Sequence, residues 1–233
     1  MRYRISNIAN KEELEHFTGL SFKYPKLYSK VPLVTGFEES LLPIITSTGS
    51  EHLEYGIWGL LPDNYNDDWE EFQKIINTLT ITQEDLKKNS FYHNSLKLKR
   101  CVIAATGFFT SHLCNGEVYP YYVYNSERTP FYLAGYYNCL SDGFMTFTIL
   151  LTKVDDSIKK IQNISNLMPK ILTTEEKNIW LSKNLSNTDT SNLTNKKCSV
   201  QLKAHPIAKE LYKMGILHST MLEPVDYQNI PNF

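Results

Sequence analysis

Short apolar runs, separated by polar turn-rich segments, dominate the chain. Residues 42–46 (LPIIT) and 53–61 (LEYGIWGLL) are apolar and β-favouring, and Pro62 ends the second run. Residues 101–105 (CVIAA) read as a short buried strand, broken at Gly107. Residues 119–124 and 130–137 read as a hairpin, its polar turn being Asn125-Ser126-Glu127-Arg128. In 146–152, Thr146, Thr148 and Leu150 alternate with Phe147, Ile149 and Leu151, the period of a strand.

Helical signals are short. Asn10 with Glu13 forms a capping-box pattern ahead of 11–17, which Gly19 stops. Thr82 can cap 83–88, and Ser90 can cap 91–98. Further helices are expected at 156–162 and 174–181, and a last one from Pro206 to near Gly215. The acidic stretch 63–71 reads as turns. Residues 182–197, rich in Asn, Ser, Thr and Lys, read as a mobile surface loop. Strands outnumber helices, so the expected fold is α+β: a mostly antiparallel, barrel-like sheet with flanking short helices, in one domain over 1–233.

Composition narrows the function. The 233 residues are 42% apolar and 21% charged, with a net charge of -1, so no overall basic excess marks a nucleic-acid binder. Lys97, Lys99 and Arg100 form a local basic cluster. No apolar run is long enough to span a membrane and none opens the chain, which makes a cytoplasmic location the expectation. Cys101, Cys114, Cys139 and Cys198 are then reduced thiols, and without a C-x-x-C pair no metal is expected.

Generic catalytic motifs are missing: there is no phosphate-cradling glycine loop, no H-E-x-x-H and no G-x-S-x-G. His112 and Cys114 would share one face of a strand, but packing explains them more simply than a catalytic pair. Trp58 and Trp180 sit in apolar runs and read as core. Tyr119, Tyr121, Tyr122 and Tyr124 could stack on bases, although alternation in a half-buried strand explains them more simply.

Nine phrases in fixed order carry a family resemblance. They are MRYRIS (1–6), GFEESLLPIIT (36–46), WGLLP (58–62), RCVIAATGFF (100–109), GEVYPYYVY (116–124), PFYLAGYY (130–137), TFTILLT (146–152), LMPKIL (167–172) and WL (180–181). The chain resembles the SOS-response-associated peptidase (SRAP) family, along almost its whole length. That resemblance implies covalent capture of abasic sites in single-stranded DNA during the DNA damage response. In the family, an N-terminal cysteine attacks the ring-opened sugar with its amine and closes a thiazolidine with its thiol. A glutamate and a histidine move protons. An asparagine and an arginine hold the DNA. No cofactor is involved.

The positions that matter differ here. Arg2 stands for the cysteine, and a guanidinium is no nucleophile. Its bulk should also keep Met1 in place. Thr110 stands for the glutamate, Ser111 for a tryptophan and Ser165 for the histidine, while Leu167 replaces an arginine. Asn77 survives, but Leu79 replaces the DNA-holding arginine, and Asn64 a tryptophan. Three readings follow: an inactive pseudoenzyme serving as an interaction module for an unidentified protein partner; residual single-stranded DNA binding through Asn77, Lys97, Lys99 and Arg100, with weak chemistry from the Met1 amine; and, least supported, a peptidase. If the resemblance holds, Arg2, Asn77, Thr110 and Ser165 should meet in one concavity.

Overall fold

The computed structural model describes residues 3–49, 51–94, 96, 98–212, 220–228 and 230–232. In chain order its elements begin with β1 (Arg4–Asn7), α1 (Lys11–Thr18), β2 (Ser21–Phe22), β3 (Val31–Thr35), β4 (Leu41–Thr46) and β5 (His52–Trp58). There follow α2 (Trp69–Ile75), β6 (Thr80–Thr82), α3 (Gln83–Lys88), α4 (Ser90–Asn94), β7 (Lys99–Ala105), β8 (Gly107–Cys114) and β9 (Glu117–Asn125). The rest are β10 (Phe131–Cys139), β11 (Met145–Lys153), α5 (Asp156–Lys159), β12 (Leu167–Pro169), β13 (Ile171–Leu172), α6 (Thr174–Leu181), α7 (Asn187–Asn195) and β14 (Leu202–Pro206).

Two sheets hold the molecule, one ordered β14-β9-β8-β1-β3 and the other β12-β11-β10-β7-β4-β5-β2. The second closes on itself. Parallel pairing of β11 with β5, Thr146 opposite Ile57 and Phe147 opposite Trp58, completes a ring with β10, β7 and β4. Closure removes two unpaired edges and makes the sheet barrel-like, as expected. The chain crosses between sheets at Thr106, whose amide and hydroxyl both donate to Ser6 O while its Oγ1 accepts from Ile8 N.

Strands buried on both faces explain the continuous apolar runs. Along β7, Cys101, Ile103 and Ala105 enter the core shared by the two sheets, with Trp58, Phe108, Tyr121 and Phe147. Val102 and Ala104 point the other way, toward a second core closed by Leu14 of α1, Trp180 of α6 and Leu193 of α7. Trp58 and Trp180 are fully buried, and each indole N–H is satisfied by a backbone oxygen, of Leu79 and Cys101 respectively. Gly107 opens β8 because a Cβ there would stand 2.2 Å from the Tyr122 ring.

Four expectations are corrected. Strands β9 and β10 form no hairpin. β9 pairs with β8 and β14, whereas β10 pairs with β7, β11 and β13, so the turn between them carries the chain from one sheet to the other. Arg128 takes a left-handed φ of 61° in that turn. Residues 182–197 are no open loop: Ser186 caps helix α7, which buries Thr190, Leu193 and Thr194. Pro206 ends strand β14, and the expected helix 206–215 reduces to a short 3-10 turn at Lys209–Tyr212, with 213–219 outside the described residues. Finally, Asp68 caps a helix, α2, inside and beyond the acidic stretch, its Trp69 and Phe72 turned to the core.

Candidate functional site

Thr110 sits near the middle of β8, opposite Tyr121 of β9, and is buried. Strand β1 lies on the other side of β8, with Ile5 opposite Phe108. Antiparallel pairing therefore brings the start of the chain, Tyr3 and Arg4, to the end of the sheet where Thr110 lies. From the second sheet, the loop after α5 runs through Gln162, Ile164 and Ser165 into β12. Together these segments line a cavity of about 480 Å³ that includes Tyr3, Arg4, Thr110, Ser111, Gln162 and Ser165.

Gln162 organises this cavity. Thr110 Oγ1 donates to Gln162 Oε1 at 2.5 Å, while Gln162 Nε2 donates to the backbone oxygens of Ser165 and Leu167, each at 2.8 Å. The buried amide thus satisfies its oxygen on β8 and both its hydrogens on the loop. Asn163 adds a second clasp: its Oδ1 accepts from Leu113 N at 2.7 Å and its Nδ2 donates to Leu113 O at 2.8 Å. Ser165 uses its own hydroxyl to cap the loop, accepting from Leu167 N at 3.2 Å.

Among the described residues, the lining holds no carboxylate and no imidazole. Among the described residues the lining includes the Arg4 guanidinium, which sits 5.4 Å from the centre of the exposed Phe37 ring. Thr110 and Ser165 cannot exchange protons near neutral pH, and neither can an amide. The arrangement can hydrogen-bond, but among the described residues it contains no carboxylate–imidazole pair. His112, two residues along β8, lies outside the lining, and burial lowers its pKa.

The other sequence-derived positions spread out. Arg2 and Lys97 lie outside the described residues. Asn77 is exposed and accepts from Leu79 N at 3.3 Å, away from the cavity wall. Leu79 is 1% exposed, its methyls set against Gly36. Arg100 gives its guanidinium to the carbonyl oxygens of Trp180 and Ser182, at 2.8 and 2.7 Å, and so fastens the end of α6. Lys99 points to the opposite face of β7 and lines a separate depression beside Tyr137. Thr110, Ser111, Ser165 and Leu167 do converge. Gln162 is the member that sequence reasoning missed, because a lone glutamine after a helix carries no motif.

The family model for "SOS response associated peptidase (SRAP)" matches residues 4–214. The chain belongs to the SRAP family. Among curated proteins it is similar to the abasic site processing protein HMCES of Xenopus tropicalis, with 29% identity over 191 residues, 68% of this chain and 54% of that protein. The chain spans about half the length of that relative. A crystal structure of a Bacteroides thetaiotaomicron protein superposes with a TM-score of 0.81 at 26% identity, covering 96% of this chain and 99% of that one. A Bordetella bronchiseptica protein shares the fold at a TM-score of 0.70 and 16% identity, covering 88% of this chain and 99% of its own.

Proposed function

We propose that this SRAP-family protein does not capture abasic sites covalently and works as a binding module on the family scaffold. The observation that carries this reading is the Thr110–Gln162–Ser165 network. The two positions where the family resemblance puts a glutamate and a histidine carry hydroxyls, and the Gln162 amide beside them spends its hydrogen bonds on the Thr110 hydroxyl and the backbone oxygens of Ser165 and Leu167. Arg2, where the resemblance puts the nucleophilic cysteine, supplies no thiol. A phosphate-bearing ligand is the favoured partner, because among the described residues the lining carries the Arg4 guanidinium and no carboxylate, beside exposed Ile164. Residual affinity for single-stranded DNA is the form of binding closest to the family's role.

Rescue tests the reading. Arg2→Cys alone should restore an N-terminal amino-thiol yet crosslink poorly to abasic single-stranded DNA. Arg2→Cys with Thr110→Glu, Gln162→Ala and Ser165→His should react faster by up to about 10²–10⁴-fold, the usual worth of general acid–base assistance. Equal initial rates for the two variants would refute the assignment of Thr110 and Ser165.

A further inference from the structure

On the other side of β12 lies a second cavity of about 480 Å³, sharing Pro169 with the first. Its wall carries Lys153, Lys159, Lys170, Lys196 and Lys197 against two carboxylates, Asp155 and Asp156. Lys170 differs from the rest. Its backbone is fixed between β10 and β11, the amide donating to Leu150 O and the carbonyl accepting from Ala134 N. Its side chain is buried, the residue being only 2% exposed. The ε-amino group donates one 2.8 Å hydrogen bond, to Lys196 O just past the end of α7. An ammonium has three N–H donors. Among the described residues, that bond is the one recorded for it.

We propose that Lys170 is a nucleophilic amine that captures a small anionic aldehyde, such as a phosphorylated one, in this cavity. A lysine becomes nucleophilic when burial and a neighbouring cation disfavour its charged form, and both are present here. Burial lowers the Lys170 pKa and the Lys196 ammonium adds to the effect, while Glu176, Cys198 and Asp155 oppose it. The surrounding ammonium groups supply the anion's counter-charge. Lys159 and Lys197 share the single carboxylate of Asp156, at 2.6 and 2.9 Å, and Lys196 is paired with buried Glu176 at 2.7 Å. In the reaction the neutral amine nitrogen attacks the carbonyl carbon. A C=N bond replaces C=O, and the carbonyl oxygen leaves as water with both amine protons.

The site is independent of the N-terminal cleft, so it stands or falls separately from the binding-module reading. The test incubates the full chain with glyceraldehyde 3-phosphate or uncharged glyceraldehyde, reduces the imine with cyanoborohydride and maps the adduct by peptide mass spectrometry. The expected result is labelling of Lys170 ahead of exposed lysines such as Lys87, preferentially by the phosphorylated aldehyde, and loss of that label in Lys170→Met. Inorganic phosphate should protect Lys170 and leave Lys87 unaffected in the unmodified sequence, a readout that holds even if the variant does not fold. Label spread over exposed lysines with Lys170 unmodified would overturn the site. Equal labelling by the two aldehydes, or no protection by phosphate, would overturn the anionic class.

Discussion

The hydroxyl of Thr110 and the side-chain carbonyl of Gln162, 52 residues apart in sequence, are joined by a 2.5 Å hydrogen bond in the lining of the first cavity. The bond ties β8 of one sheet to the loop that enters β12 of the other. Buried polar groups cost stability when they lack partners. Here the Thr110 hydroxyl and the Gln162 amide satisfy one another and the loop.

Gln162→Ala removes three of these hydrogen bonds and leaves buried partners on both sides. With about 1 kcal/mol for each bond, the expected loss is about 2–4 kcal/mol, read as a lower urea midpoint with an unchanged slope. Thr110→Val removes one donor and should cost about 1–2 kcal/mol. If Gln162→Ala is as stable as the parent, the network is not structural.

Leu79→Arg separates family ancestry from present packing. The resemblance puts a DNA-holding arginine at this position, but Leu79 is buried against Gly36. An uncompensated buried charge costs about 3–5 kcal/mol. The variant should therefore melt at a clearly lower temperature and gain no DNA affinity. A stable variant with tighter DNA binding would show that the side chain can reach the surface.

Much of this was legible beforehand. The apolar runs in β4, β5, β7 and β11 are long and β-branched enough to declare themselves, and Asn10 with Glu13 forms the expected capping box. What failed was non-local. Turn chemistry at 125–128 marks a reversal, but it cannot reveal that the two strands belong to different sheets. Helix α7 has poor intrinsic propensity, with Asn, Ser and Thr throughout, and is held by tertiary bonds such as Thr152 Oγ1 to Thr194 O. In the cavity, Thr110, Ser111, Ser165 and Leu167 were found through their phrases, while Gln162 had none. The basic cluster separated because adjacent residues on a strand face opposite sides.

Gly135→Ala tests the ring. A Cβ there would stand 2.4 Å from Thr148 O, a backbone atom of the paired strand β11 that has no rotamer to adjust. Parting β10 from β11 should cost toward the upper end of about 1–3 kcal/mol. Equal thermal stability of variant and parent would contradict the close approach.

The pH dependence should carry a signature of His205. Its ring nitrogen lies 2.8 Å from Leu222 O, holding the segment that follows residue 219 to β14. Burial lowers its pKa from 6.5, with the Leu222 contact opposing. Between that lowered value and 6.5 the unfolded chain binds more protons than the folded one, so stability rises with pH through this window and is lost on acidification. Urea midpoints measured from about pH 8 down to about pH 5 should fall, and His205→Gln should flatten the fall. An identical decline in the variant would assign the effect elsewhere.

The most direct test of the central claim uses the unaltered chain and single-stranded DNA with one abasic site, resolved on a denaturing gel after heating. With no thiol at position 2, and Thr110 and Ser165 where the resemblance puts the glutamate and the histidine, no heat-stable protein–DNA species should form, while any DNA affinity should weaken steeply with salt. A heat-stable adduct mapped to the N-terminal peptide would contradict the account.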